Sequence, residues 1–245
     1  PALRSGPFLV HLCDSLHRNG LGPAIAGSPM GHDDVVALVQ PPQRGVTPVA
    51  PGLSGLRTAG VYVFGEGVLD LCDEPDESKR WDSQIAAAAD RLEAGGGHIE
   101  LRTVEDCWRY RRRPDVLLQA NRFFLSGLRS GPTEAWVENT DLQGPVVVDP
   151  SARLRSTTVR GPVIIGPDVE ISDAYIGPYS SIGRGVVIEN AEVEHSIILP
   201  GASIRHLGGR LEASVVGSGA RVFRDFRLPR AFRLNVGENA EVALT

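Results

Sequence analysis

Aliphatic residues in the second half of the chain recur at one fixed interval. Val148, Ile165, Ile182, Leu199 and Val216 lie 17 positions apart. Leu154, Ile171 and Ile188 keep the same spacing, as do Val159, Ile176 and Val193. Read straight through, an aliphatic residue follows after six, five and then six positions. Turn-forming pairs fill the intervals, as in Ile165-Gly166-Pro167, Ile176-Gly177-Pro178 and Ile182-Gly183-Arg184. Three interleaved series at one period describe a three-sided coil. Each short strand turns one aliphatic side chain inward, and small or turn-forming residues bend the chain into the next side. Stacked coils then bury a continuous column, each touching only its neighbours. A β-sandwich would instead show strict alternation with turns every ~8–12 residues. The pattern predicts a parallel β-helix of hexapeptide repeats from about Val137 to the C-terminus. It spans about four coils and slackens at Arg205–Arg210, where His206-Leu207-Gly208-Gly209 reads as a loop.

The first 128 residues read differently. Pro7–Cys13 has a buried-strand pattern running into Asp14. Further strands are expected at Val35–Val39, stopped by Pro41-Pro42, at Leu56–Phe64, and at His98–Val104, continuing toward Trp108. Helices alternate with them. Gly67–Cys72 is short. Ser83–Glu93 carries Ile85, Ala88, Ala89 and Leu92 on one stripe and ends at Gly95-Gly96-Gly97. Pro114–Leu128 has Pro in its first turn and an expected apolar face of Val116, Leu117, Ala120, Phe123, Phe124 and Leu128. Such alternation predicts an α/β layer over 1–130, followed by the β-helix over 131–245, with Gly131-Pro132-Thr133 as hinge.

Charge and composition narrow the function classes. The net charge is −5, and Lys79 is the sole lysine, so no basic run offers nucleic acid a general footing. No apolar run approaches the ~20 residues of a membrane span. The stretch Pro1-Ala2-Leu3-Arg4-Ser5-Gly6 has no signal-peptide pattern. Neither a membrane nor a nucleic-acid partner is therefore expected. Cys13, Cys72 and Cys107 lack CxxC spacing, so neither a zinc site nor a disulfide framework is indicated, and a cytoplasmic chain with reduced thiols is expected. With 28 Gly, 18 Pro and Met30 as the single methionine, the composition reads as that of a GC-rich bacterial genome.

Several stretches resemble the sugar-1-phosphate nucleotidylyltransferases, in particular the long glucose-1-phosphate thymidylyltransferase-like proteins with a C-terminal β-helix. Phe8-Leu9-Val10-His11-Leu12-Cys13-Asp14-Ser15 is similar to the family strand ending in Leu-Gly-Asp-Asn. Ala59-Gly60-Val61-Tyr62-Val63-Phe64 is similar to Val-Gly-Val-Tyr-Leu-Phe. The segment from Trp108 through Pro114–Arg122 resembles Trp-Lys-Asp-Thr-Gly-Lys-Pro-Glu-Asp-Leu-Leu-Glu-Ala-Asn-Arg. The β-helix match runs through Val159–Pro162, Ala174–Tyr179 and Ala231–Asn239. The resemblance implies a Rossmann-like α/β remnant and a left-handed β-helix.

Departures from the family pattern fall on its chemistry. The Gly-rich loop that cradles triphosphate has no counterpart in the sequence, which begins just before the strand leading to Asp14. Two family Asp residues hold Mg²⁺, which demands carboxylate oxygens. One corresponds to Asp14, while the other falls at Tyr110. The family Glu-Lys-Pro falls at Gln40-Pro41-Pro42, removing the Lys that contacts sugar phosphate. The family Leu-Glu-Ile-Thr-Asp falls at Ser83-Gln84-Ile85-Ala86-Ala87, replacing the sugar-binding Glu by Gln84. The sequence therefore implies a degenerate member that has lost nucleotidyl transfer, with no metal and no cofactor expected.

Asp14, Tyr110 and Gln84 are the candidate acid–base or hydrogen-bonding groups of a repurposed small-molecule enzyme in bacterial natural-product biosynthesis. Its pocket is expected between the α/β remnant and the β-helix. Gly60, Trp81, Trp108, Arg109 and Arg111 are candidate substrate-binding residues. Arg109 and Arg111–Arg113 could fork onto an anion, or pair in solvent with Glu105, Asp106 or Asp115. Trp81 and Trp108 could line a pocket or pack in the core, and His11 reads as a packed core residue. Arg224, Arg227, Arg230 and Arg233, interleaved with Phe223, Phe226 and Phe232, read as a tail whose aromatics cap the last coil. A non-catalytic protein that homo-oligomerises or binds an active homologue through the β-helix is the alternative from a different class, and a fragment of a sugar-nucleotide-forming enzyme is a third.

Overall fold

The computed structural model describes residues 6–27, 31–41, 53, 56–70, 81–110, 115–131 and 134–226, without the side chains of 81 and 82. Arg111–Pro114, Pro132, Thr133 and the tail beyond Phe226 lie outside the described residues, as do Pro42 and Cys72. The chain divides into two compact units, 1–116 and 117–245.

The first unit is built on a four-stranded sheet in the order β1-β4-β3-β5, from Phe8–His11, Thr58–Phe64, Asp34–Val39 and His98–Thr103. β3 and β5 run parallel, and β4 is antiparallel to both β1 and β3. Val35–Val39 and Ala59–Tyr62 are almost wholly buried, as expected of central strands. β1 corrects the expectation of a buried strand. It lies at the sheet edge, and its side chains alternate between half-buried and exposed, with Leu9 facing solvent. Helix α2 (Trp81–Ala94) lays Ala86, Ala89 and Leu92 against Val35, Ala37, Tyr62 and Phe64. A 3₁₀ turn at Glu66–Asp70 takes the place of the short helix expected there. A second cluster of Leu38, Ala59 and Val61 is covered by Leu21, Ala24 and Ile25 around the single-turn α1 (Gly22–Ile25), together with Val104 and Cys107. Finally, β2 (Ser15–His17) pairs antiparallel with β6 (Cys107–Arg109) as a separate ribbon.

The second unit is a parallel β-helix of three sheets holding six, five and five strands. Its first face runs through Trp136–Glu138, Arg153–Arg155, Glu170–Ser172, Val187–Glu189, Ser203–Arg205 and Arg221–Phe223. The interior is one column of aliphatic side chains, including Leu154, Val159, Ile165, Ile171, Ile176, Ile182, Ile188, Val193 and Ile204. Each such side chain withdrawn from water contributes ~1.5–3 kcal/mol.

Leu199 corrects the first aliphatic series. It is 37% exposed, and Ile198 takes the interior place, pairing with Ile182 below and Val216 above. One coil is a residue short, because Val193 to Ile198 spans five positions where Ile176 to Ile182 spans six. The next coil recovers the residue at Leu207-Gly208-Gly209, so Val193 pairs with Leu211, 18 positions on. The expected loop is therefore a compensating insertion.

The corner after the first face explains how such short strands turn so sharply. Asn139, Ser156, Asp173, Asn190 and His206 all have φ between 46° and 55°. These are mostly the short polar residues that tolerate the left-handed region. From Ser156 onward each donates its backbone N–H to a carbonyl of the coil below, as Asn190 does to Ser172. Side-chain type and ladder bonding thus repeat together at every coil.

Helix α3 (Val116–Leu125) belongs with the β-helix. Asn121 donates from Nδ2 to the Tyr179 carbonyl at 2.9 Å and accepts from Ser181 Oγ at 2.6 Å, while the Arg122 guanidinium lies over the Tyr179 ring. Its buried side chains are Val116, Leu118, Ala120 and Leu125, whereas Leu117 and Phe124 face solvent, correcting the expected stripe. The packed face carries a polar residue, Asn121, and so does not read as apolar.

The tail is corrected too. Phe223 and Phe226 are exposed and stack with Arg221 and Arg224 rather than capping the column, which ends on Val216 and Val222.

Substituting Asn190 tests the corner geometry. Asn190→Val places a β-branched residue at positive φ and should destabilise the protein by about 1–3 kcal/mol, whereas Asn190→Gly should leave stability within about 0.5 kcal/mol. Thermal unfolding of both variants measures it, and equal behaviour of the two would remove the left-handed corner from the explanation.

Candidate functional site

The best-defined polar site of the first unit lies where the β2–β6 ribbon meets the start of β4. Asp14 ends the segment leaving β1 and immediately precedes β2. Ribbon pairing sets Ser15 opposite Arg109 and Leu16 opposite Trp108. The Tyr110 N–H donates to the Asp14 carbonyl at 2.7 Å, so residues 96 positions apart in sequence sit side by side. The end of the sheet where β3 and β5 carry their carboxyl termini is also where Thr58 begins β4. Open α/β sheets place ligands at that end.

Arg109 organises the site. Its Nη2 donates to both carboxylate oxygens of Asp14, at 2.9 and 3.2 Å. Its Nη1 donates to Thr58 Oγ1 at 3.3 Å and to the Thr58 carbonyl at 3.4 Å. Thr58 Oγ1 also accepts from the hydroxyl of the fully buried Tyr62 at 2.8 Å. The side chains of Arg109 and Asp14 are only 15% and 29% exposed. A guanidinium fixed by a buried Thr–Tyr pair and forked onto one carboxylate is a pre-organised ion pair. Removal of either partner strands a largely desolvated charge.

Gly60 lies under Ser15. Its φ is +76°, and a Cβ there would meet Ser15 Oγ at 2.8 Å. Ser15 is buried and donates its hydroxyl to the Leu12 carbonyl. Gly60 therefore permits the ribbon's close approach.

His11 corrects its expected place in the core. It is exposed, its Nε2 donates to the Ser15 carbonyl at 3.1 Å, and its ring meets His17 edge-on at 5.5 Å between centroids. His17 was not anticipated. Burial, then the neighbouring His11, lower its pKa below the ordinary 6.5, against the raising effect of a hydrogen bond to Ala59. Its Nε2 is buried and has no hydrogen-bond partner among the described residues. Cys107, opposite His17 in the ribbon, accepts from Gln40 Nε2 at 3.2 Å.

The remaining candidates divide. Tyr110 is 47% exposed beside Asp14, and Trp108 is half-buried on the ribbon. Gln84 belongs to the first turns of α2, whose packed residues meet the face of Val35, Ala37 and Tyr62. Gln84 and the Asp14 ribbon are thus carried by separate elements. Trp81 begins α2, and Arg111 lies outside the described residues. Arg109 turns to Asp14 and Thr58, and Asp106 pairs with Arg18 at 3.4 Å and accepts from Asn19.

The family metal was tested against this donor set. Asp14 has both oxygens engaged by a cation, and Tyr110 supplies a phenol where a second carboxylate would be required. The set does not fit Mg²⁺.

Sequence comparison places this geometry among known proteins. The chain is 31% identical over 191 residues to a glucose-1-phosphate thymidylyltransferase of Streptomyces antibioticus, covering 78% of this chain and 53% of that one. A glucose-1-phosphate thymidylyltransferase of Streptomyces griseus is 30% identical, with 78% and 54% coverage. The low-salt glycan biosynthesis nucleotidyltransferase Agl11 of Haloferax volcanii is 32% identical, with 86% and 58% coverage. The chain is a homologue of these nucleotidyltransferases. It spans about half the length of the curated relatives it matches. No family model matches the chain. Among the described residues no helix is long and apolar enough to cross a membrane.

His17 generates a pH dependence. Because its folded pKa is lowered, its contribution to stability is complete above about pH 6.5 and declines as the pH falls below that value. The melting temperature of the wild type should therefore fall more steeply between about pH 7 and pH 5 than that of His17→Gln. Parallel curves would remove His17 as the cause.

Proposed function

We propose that this nucleotidyltransferase homologue no longer carries out nucleotidyl transfer, and that its Asp14 site instead binds a small, weakly charged molecule by hydrogen bonds. The observation that carries this reading is the fork of Arg109 on Asp14 beside Tyr110. Nucleotidyl transfer requires a dication to neutralise phosphate charge. A guanidinium at 2.9 Å already neutralises the one carboxylate inherited at this edge and repels a second cation. What remains are the outward lone pairs of Asp14 as acceptors and the exposed Tyr110 hydroxyl as donor and acceptor. Such a set suits a hydroxyl or carbonyl of a substrate and supports acid–base chemistry through Tyr110. Gln84, in place of a sugar-binding carboxylate, lowers the charge further. A biosynthetic pathway of a bacterium with a GC-rich genome is the setting that this reading implies.

The direct test incubates the protein with glucose 1-phosphate, dTTP and Mg²⁺ and follows pyrophosphate release. No turnover above background is expected, together with no heat of dTTP binding in calorimetry. Turnover, or tight dTTP binding abolished by Asp14→Ala, would falsify the reading.

One observation favours a second reading, self-association through the β-helix. On the face containing Val146–Val148, Val163–Ile165, Ser180–Ile182, Ile197–Ile198 and Val215–Val216, α3 docks at Ser181, and the outward residues beside it include the exposed Val147, Ile164 and Val215. None is charged, whereas the other two faces present Arg153, Arg155, Glu170 and Arg205, or Asp141, Glu192, Glu194 and Arg210. An uncharged face meets its own copy without like-charge repulsion. Sedimentation velocity at micromolar concentration should show a species larger than the monomer that Ile164→Arg dissociates. A monomeric wild type sinks this reading.

A further inference from the structure

The first coils of the β-helix hold an open cleft of about 840 Å³, away from the Asp14 ribbon in the chain and formed wholly within the second unit. That volume is in the range of small-molecule sites. Its floor is a column of three in-register residues on successive coils. Trp136 neighbours Arg153, and Arg153 neighbours Glu170. Two steps of ~4.8 Å spread the column over about 10 Å. Ser151 and Asp168 form the rim.

Three features separate this cleft from ordinary solvated β-helix surface. Trp136 is 52% exposed, so a broad indole face opens onto the cleft. Arg153 and Glu170 stand side by side yet form no ion pair with each other, and neither side chain has a hydrogen-bond or salt-bridge partner among the described residues. Several other charges on the solenoid do pair, Arg210 with Glu192 and Glu194, Arg155 with Asp173, and Arg205 with Glu189. The rim is also fixed. Ser151 Oγ accepts from the Asp168 N–H at 2.8 Å and donates to Asp149 Oδ1 at 2.7 Å, and Arg184 approaches the Asp168 carboxylate at 3.5 Å.

From this arrangement we infer a carbohydrate-binding site in which a pyranose ring stacks on Trp136. The indole face is the negative pole of its quadrupole and attracts the polarised axial C–H bonds of a sugar. The unpaired Glu170 carboxylate and the Asp168 carboxylate beside Arg184 accept from ring hydroxyls, and Arg153 donates to them. Arg184 balances Asp168 and Arg153 balances Glu170, so the cleft carries no excess positive charge to hold phosphates and suits a neutral polyhydroxylated ring. The site is independent of the reading of Asp14.

The test is ligand-observed saturation-transfer NMR and tryptophan fluorescence on the full chain, with methyl α-D-glucopyranoside, methyl α-L-rhamnopyranoside and maltotriose as probes and dTDP as competitor class. At least one saccharide should bind in the millimolar range. Trp136→Ala should weaken it about tenfold and Glu170→Gln about fivefold, with the thermal transition unchanged because both side chains are exposed. Lack of binding by all three saccharides at about 20 mM overturns the site, as does binding that Trp136→Ala leaves intact. Preferential dTDP binding lost in Trp136→Ala assigns the cleft to nucleotides and equally overturns the proposal.

Discussion

The backbone ladder between successive coils is the interaction on which the second unit rests. Every strand there is two or three residues long, too short to hold a sheet by itself. Stability comes from repetition, since each coil donates and accepts along its whole length and closes over one more layer of Leu, Ile or Val. The ladder also dictates the corners. To keep the N–H of residues such as Ser156, Asp173 and Asn190 aimed at the coil below, the chain must pass through positive φ, and the sequence supplies Ser, Asp and Asn there.

That constraint explains why this half was legible. A repeat imposes its period on residue type, so Leu154, Ile171 and Ile188 announce themselves. Failures occurred where the ladder tolerates a local change in length. Leu199 kept the arithmetic period, but the preceding coil is one residue short, and the backbone selected Ile198. The same limit applies to α3. Apolar periodicity pointed to Leu117 and Phe124, while the helix turned so that Asn121 could bond Tyr179 and Ser181 between Leu118 and Leu125. A polar residue that docks a helix is invisible to a search for apolar stripes.

At the Asp14 edge, the family resemblance implied Tyr110 in place of a carboxylate. The Arg109 fork was not legible, because it depends on Thr58 and Tyr62, 51 or fewer positions from Arg109 in sequence and brought to it only by the β2–β6 ribbon crossing the start of β4. The close approach of Ser15 to Gly60 at positive φ was equally hidden, because it too follows from that crossing. His17 gave no signal, since burial of one ring nitrogen follows from that same crossing.

The two halves differ in what they conserve physically. The β-helix keeps a repeated solution to one packing problem, while the α/β unit keeps a sheet and a site edge with a different electrostatic balance. In that balance Arg109 satisfies Asp14, which leaves no place for a divalent cation. Paramagnetic broadening by substoichiometric Mn²⁺ reads this directly from the backbone amides of Asp14, Ser15 and Tyr110. Unbroadened signals in the wild type, with selective broadening appearing only in Arg109→Ala, are the predicted result. Selective broadening of those amides in the wild type, lost in Asp14→Asn, would contradict it.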